Sequence, residues 1–437
     1  MDMVSRGVRL GLLDDSRPYR SRGILVDLAK LGLRVFLAYA VAQALLLVSL
    51  AGITALRNKF REDPPSGGFP WEEKPEVEVE GGGTRLRLYL YGERLYEAML
   101  KEIEGAEERI FVGTFIWKGD EVGRRFVDAL AKKAREGVQV CVVFDGLANV
   151  VVPASFKRFP EEIRTLHFRP LWGPANLADP RNLLRYHRHE MSVDGRVAFL
   201  GGYNIGSLYE ASWRDTHVRL RGEEAREVEN AFVDFWNAHR SEDLPKIESD
   251  RVRPWDPKTL VHRNDPYLRI FPIRAMYLEA INRANEHVYF THAYFIPDRA
   301  MCLELSGAAK RGVDVQILLP RSSNHATVDW LARRHFGELL GAGVRIFLYE
   351  EFMLHAKTAT VDGVWSTVGS ANIDHLSLMG HYEINLEVHS RLFAEQMEEM
   401  FELDKTNAWE VTLEDWEKRP LPAKLAERFL DGLRPLV

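Results

Sequence analysis

The chain of 437 residues, 46% apolar and 28% charged, is long enough for two or three domains with substantial cores and has the make-up of an ordinary folded protein. Its 58 Lys and Arg against 64 Asp and Glu leave a formal net charge of -6, so there is no overall basic field and a nucleic-acid partner is not expected. Cys141 and Cys302 lie far apart without Cys-x-x-Cys spacing, which excludes a disulfide framework and a cysteine-rich zinc site.

Residues 1–34 form a polar N-terminal segment. The run that follows, 35–56, "VFLAYAVAQALLLVSLAGITAL", holds no Asp, Glu, Lys or Arg. As a helix rising about 1.5 Å per residue it spans roughly 33 Å, the thickness of a bilayer core. Arg34 and Arg57 bracket it where their side chains reach headgroups. A single-pass transmembrane anchor is therefore expected, and with it a place at the cell membrane. A buried core helix or a cleaved signal peptide fits less well, because the run is long for either and more than thirty residues precede it. Basic residues stand on both sides of it, so loop charge does not orient the segment.

Residues 57–84, containing "REDPPSGGFPWEEKPEVEVEGGG", read as a linker rich in Pro, Gly and acid. Beyond it strand-like and helix-like segments alternate. "RIFVGTFIW" is β-like, "GRRFVDALAKKAREG" is helical and stops at Gly137, and "VQVCVVFD" is β-like again. The same order returns in "HVYFTHAYFIP", "AMCLELSGAAKRG" ending at Gly312, and "VDVQILLP". This is the pattern of an α/β fold built from a duplicated unit, with one repeat over residues 85–245 and the other over 246–437.

The copies align without a gap where "YHRHEMSVDGRVAFLGGYNIG" lies over "LHAKTATVDGVWSTVGSANID". The offset is constant, since 355 − 187, 362 − 194 and 372 − 204 all equal 168. At the same offset Asp215 meets Glu383. In an extended strand residues i and i+2 point to one face, so His187 is presented beside His189 and His355 beside Lys357. Val-Asp-Gly then signals a hairpin whose return strand brings Asn204 and Asn372 back beside the histidines. The small residues Gly202 and Ser370 allow backbone N–H groups to approach an oxyanion closely.

Two copies of the pattern His-x-Lys-x(4)-Asp followed by Gly-x-x-Asn, the first with His189 at the lysine position, resemble the HKD motif of the phospholipase D superfamily. The stretches "VDGRVAFLGGYNIG", "WRDTHVRLRG" and "DWEKRPLPAKLAERFL" are most similar to its cardiolipin synthase-like members. The resemblance covers roughly residues 85–437. It implies two tandem α/β/α repeats with mixed sheets and pseudo-two-fold symmetry, joined here to the N-terminal transmembrane helix, and one active site between the halves. It implies no cofactor and no metal. One motif histidine would form a phosphohistidine and the other protonate the leaving group, with His187 in the place of the nucleophile and His355 in that of the acid. Lys357 would hold the phosphoryl oxygens, with Asn204, Asn372, Ser370 and Gly202 lining the phosphate site, and Asp215 and Glu383 would orient the histidines.

The implied activity is that of a phosphatidyltransferase acting on phosphatidylglycerol-like phospholipids. A hydrolase of phospholipase D type is the alternative, because water in place of an alcohol would resolve the same intermediate. Asp194 and Asp362 belong to the motif, yet Asp before Gly also suits a hairpin, and a turn role stands beside a catalytic one. His217 and His292 on β-like stretches read as satisfied core histidines. His189 departs from the pattern, replacing the motif lysine by a group with an ordinary pKa near 6.5. A tolerated variant, an altered substrate or an impaired lipid-binding homologue are all open on sequence. His-x-His also matches half of a zinc site, but no further ligands follow and Lys357 at the equivalent position would repel a cation. The oligomeric state is not legible.

Overall fold

Short β-branched runs such as "VQVCVVFD" and "VDVQILLP", each following an amphipathic helix that ends on Gly137 or Gly312, generate parallel strand–helix–strand units. Both glycines have positive φ, 97° and 96°, which releases the chain from its helix at little steric cost. Asp120 and Asp298 open those helices by accepting from the N–H groups of Gly123 and Met301 at 3.0 and 2.9 Å. The computed structural model describes residues 73–80, 83–149, 158–169, 184–248, 258–350 and 352–430, with scattered positions between 30 and 52 and at 152 and 156.

The first lobe contains β1 (Val77–Glu78), β2 (Arg85–Tyr89), β3 (Arg109–Thr114), β4 (Gln139–Asp145), β5 (Arg164–Phe168), β6 (Glu190–Val193), β7 (Val197–Gly201) and the short β8 (Trp213–Arg214), then β9 (His217–Arg221). All but β8 form one sheet in the order β1-β2-β9-β7-β6-β3-β4-β5. The second lobe comprises β10 (Thr259–Arg263), β11 (His287–His292), β12 (Asp314–Pro320), β13 (Arg345–Tyr349), the short β14 (Met353–Leu354), β15 (Lys357–Val361), β16 (Trp365–Gly369), β17 (Ile384–His389) and β18 (Ala408–Val411). Its sheet runs β10-β17-β16-β15-β11-β12-β13-β18. In each sheet three parallel strands, β3-β4-β5 or β11-β12-β13, adjoin an antiparallel set containing the motif hairpin, β6-β7 or β15-β16. These are the mixed sheets of a two-lobed α/β fold.

One buried cluster joins the lobes. Leu86, Leu88, Leu200, Val218 and Leu220 of the first pack with Val368, Ile384, Leu386 and Val388 of the second, closed over by Phe393, Met397 and Met400 from the helix Arg391–Lys405. Burying these apolar faces against each other is worth on the order of 25 cal/mol per Å², which favours one folding unit over two loosely tethered ones.

The first sheet begins earlier than the linker reading of residues 57–84 implied. "VEVE" alternates, so Val77 and Val79 bury while Glu78 and Glu80 face out, and Val77–Glu78 pairs with β2. The expected membrane span, 35–56, lies outside the described residues except for scattered helical, exposed positions including Leu37, Val41 and Leu45. Among the described residues no helix is long and apolar enough to cross a membrane.

Candidate active site

The site is assembled by strand pairing between lobes. Just before the first motif, Tyr186 bridges Tyr382 in parallel, and just before the second, Met353–Leu354 pairs in parallel with Trp213–Arg214. Leu354 is 168 residues from Tyr186 and Tyr382 is 168 from Arg214, so these contacts are the two symmetry-related copies of one arrangement. The next residue extends each pairing: His187 donates its backbone N–H to Tyr382 O at 3.0 Å, and His355 donates to Arg214 O at 2.7 Å. In both cases the residue after the acceptor is an acid. The backbone bond that ties a motif to the opposite lobe therefore also delivers that lobe's carboxylate to the imidazole.

The result is a crossed pair. His187 Nδ1 lies 2.8 Å from Glu383 Oε1, and His355 Nδ1 lies 2.6 Å from Asp215 Oδ2. A carboxylate at Nδ1 places the ring hydrogen there and leaves Nε2 as the lone-pair nitrogen, the tautomer required for attack on an electrophile. Lys357 Nζ lies 2.8 Å from the same Nδ1 of His355 and 3.2 Å from its Nε2. Because Asp215 claims the Nδ1 hydrogen, the ammonium is left to donate to Nε2 and to the backbone oxygen of His355.

Small residues at equivalent positions seat the acids. Gly202 lies so close to Asp215 that a Cβ there would stand 2.2 Å from Oδ1, while Ser370 in the other lobe donates its hydroxyl to Glu383 Oε2. Asn204 Oδ1 accepts from Ile116 N at 2.7 Å and Asn372 Oδ1 from Tyr294 N at 3.3 Å, fixing the loops that follow β3 and β11. Among the described residues nothing takes the amide hydrogens of either Asn.

Electrostatics follow from depth. Lys357 is fully buried, and burial lowers its ammonium to about 8 against the opposing pull of Asp215, Glu383 and Asp374. Burial, then the Lys357 cation, lowers His355 to about 4 in spite of Asp215, so the imidazole is neutral at pH 7 when nothing is bound. Burial works to raise the Asp215 carboxyl, but Lys357 and His355 beside it hold it below the usual range.

The two motif aspartates do not join this cluster; each is bound instead to backbone N–H groups at a turn. Each lies seven residues beyond its histidine, roughly 23 Å along an extended chain. Asp194 accepts the backbone N–H groups of Glu107, Glu108 and Arg109 at 2.9, 2.8 and 2.8 Å. Asp362 does the same for Asn285, Glu286 and His287 at 2.8, 2.9 and 2.9 Å. Both sit at φ 52°, the left-handed position that Asp tolerates in a hairpin turn.

Ser370 and Gly202, expected at the phosphate, are engaged with the two orienting acids instead. His217 is buried and lowered to about 3 by that burial, with Nδ1 accepting from Tyr203 N at 3.4 Å. His292 is buried and lowered to about 3, chiefly by burial and then by Lys357, but among the described residues neither of its ring nitrogens has a hydrogen-bond partner, which the satisfied-core reading did not anticipate.

Sequence reasoning missed the rings that pack on the histidines. Trp213 lies 4.6 Å from His355, and His381, 168 residues later, lies 6.3 Å from His187. Phe115 meets His187 edge-on at 4.7 Å. The 168-residue offset carried a signal for the first two, each standing two residues before an orienting acid.

Residues 99–236 and 277–405 match the family described as cardiolipin synthase, PLD-like domain. The chain is 33% identical over 367 residues to a cardiolipin synthase of Clostridium perfringens (strain ATCC 13124), covering 80% of this chain and 77% of that protein. It is 30% identical over 365 residues to a cardiolipin synthase of Listeria innocua, covering 81% and 76%. Among solved structures, a phosphatidylserine synthase of Haemophilus influenzae Rd KW20 superimposes with a TM-score of 0.61 at 13% identity, covering 83% of this chain and 97% of that one. At that identity the likeness concerns the fold.

Proposed function

The chain belongs to the family of cardiolipin synthases with a PLD-like domain, and on that premise we infer that it is a phosphatidyltransferase, moving a phosphatidyl group from one alcohol to another. The observation that carries the mechanism is the crossed pairing of two motif histidines with carboxylates of the opposite lobe.

His187 Nε2 attacks the phosphorus of a phosphatidylglycerol-like lipid. A P–N bond forms, the P–O bond to the headgroup glycerol breaks, and His355 gives its proton to the departing alkoxide. The hydroxyl of a second lipid then passes its proton to His355 and attacks the phosphohistidine, releasing His187. Glu383 and Asp215 hold each ring with Nε2 toward the phosphorus and stabilise the imidazolium form that each passes through. Lys357 and the amide N–H groups of Asn204 and Asn372 bind the equatorial oxygens as their charge grows. The free protein holds His355 neutral, so the acid's proton is acquired with the anionic diester, whose charge opposes both burial and Lys357.

Expression in a bacterium lacking cardiolipin synthases tests the reading. Lipid mass spectrometry should reveal new cardiolipin, with none in His187→Ala; phosphatidic acid alone would make the protein a hydrolase. Labelled phosphate should be trapped on wild-type protein and on no His187→Ala protein. An adduct that instead disappears only with His355→Ala would reverse the two roles.

In this reading segment 35–56 is a single-pass anchor at the cell membrane, and what supports it is the segment's length and lack of charge. Deleting residues 1–56 should move the protein from the membrane to the soluble fraction, and undiminished membrane retention would remove the anchor from this account.

A further inference from the structure

His189 stands where the second motif carries Lys357. It is 1% exposed, its ring meets that of His187 at 5.3 Å, and neither ring nitrogen has a hydrogen-bond partner among the described residues. A neutral imidazole brings one donor and one acceptor, and leaving both unpaired in a buried site is unfavourable. Such a ring beside the nucleophile is placed for a partner that arrives with the substrate.

Charge counting gives that partner its chemistry. The groups acting on His189 are His187 just before it, His217 from β9, and His355 and Lys357 from the motif of the other lobe. Glu383 and Asp215 are committed to the Nδ1 atoms of His187 and His355. Burial first, then these neighbours, hold His189 well below its ordinary value, so it is neutral in the free protein. The centre sets the single Lys357 ammonium against the acids Asp215, Glu383 and Asp374, and it must still admit a phosphodiester anion. A second lysine would supply the missing charge; here a proton has to.

We propose that His189 substitutes for the first-lobe lysine by taking up a proton from solvent as the phosphodiester monoanion binds, and that the resulting imidazolium donates a hydrogen bond to a phosphoryl oxygen. The idea rests on the phosphatidyltransferase reading for the identity of the anion. Its sign follows from linkage: the bound anion raises the His189 pKa above its free value, so affinity is greatest below the free pKa. It falls up to about tenfold per pH unit between the free and the bound values, and levels off above both.

The test uses dimethyl phosphate, a diester whose single charge does not titrate near neutrality. Calorimetric titration of the full chain at about pH 7.5, in two buffers of different ionisation enthalpy, gives the protons taken up per anion bound. Wild type should take up one more proton than His189→Lys or His189→Gln, and the His189→Lys protein should bind most tightly. Gln is uncharged and close in size, so it serves where Lys perturbs folding. Equal uptake in wild type and variants, or no binding by wild type, overturns the proposal. Phosphatidyl transfer measured in parallel separates the two ideas: active protein with equal uptake sinks only the role of His189, whereas normal uptake without transfer sinks the transferase reading.

Discussion

Asp215 acts on a histidine 140 residues further along the chain, and its effect belongs to that histidine. In Asp215→Asn the amide keeps the shape but offers no charge to hold the Nδ1 hydrogen, so His355 loses both its tautomer and its support as an imidazolium. Turnover should fall by about 10⁴ with the fold intact, the size seen when a comparable carboxylate behind a catalytic histidine is neutralised. Histidine nitrogen NMR should show the His355 signals moving while those of His187 stay; the reverse pattern would contradict the crossed pairing. Gly202→Ala probes the same acid sterically. A Cβ 2.2 Å from Oδ1 must push the carboxylate aside, and a misplacement of about 1 Å costs on the order of 100-fold in rate. The identities of His187, His189, His355, Lys357, Asp215 and Glu383 were legible in the sequence from the 168-residue offset. The partnering was not, because an alignment of repeats superimposes each residue on its own counterpart, whereas contacts across a two-fold axis join each residue to the other's neighbour.

The motif hairpins show how one element serves two ends. At one end β6 and β15 continue from the histidines; at the other, Asp194 and Asp362 clamp the turns that lead into β3 and β11. Removing three charge-assisted bonds to backbone N–H groups, Asp362→Ala should destabilise the fold by about 2 to 3 kcal/mol, and its alanine would also have to adopt φ 52°. Denaturant midpoints measure the loss, and the protein that remains folded should transfer phosphatidyl groups at the wild-type rate. A collapse of turnover without loss of stability would return Asp362 to the catalytic set.

The pH dependence has a definite sign. Burial acts to raise the Asp362 carboxyl, but the N–H groups of His287, Asn285 and Glu286 hold it below the ordinary range. Its stabilisation is therefore present above the unfolded value near 3.9 and is lost as pH falls through the lower folded value. The gap between wild type and Asp362→Ala should close in that acid window. Hairpins of this kind are readable because Asp-Gly turns and alternating strands are local signals. The two-residue strands β8 and β14 are not, since nothing in Trp213–Arg214 or Met353–Leu354 announces a partner in the other lobe.

The two lobes hold one site only while they are locked to each other, and a buried ion pair helps to lock them. Arg214 of the first lobe donates from Nε and Nη2 to Asp404 of the helix Arg391–Lys405 in the second, at 2.9 and 2.6 Å, and from Nη1 to Thr216 Oγ1 at 3.0 Å. The same residue's carbonyl receives His355, and the next residue is Asp215, so this guanidinium anchors the strand that carries an orienting acid. Asp404→Ala leaves a fully buried cation unpaired and should cost about 3 to 5 kcal/mol, read as a lower denaturant midpoint. Because the apolar cluster of β2, β7, β9, β16 and β17 spans both lobes, unfolding should stay a single transition. Two separate transitions in wild type would show that the lobes do not depend on each other. Replacing the pair by Arg214→Met with Asp404→Leu removes both charges, and apolar packing should restore much of the lost stability. Turnover should remain low, because Thr216 and the segment around Asp215 lose the donor that fixed them; stability and activity regained together would mean that the ion pair only held the lobes and did not position the acid.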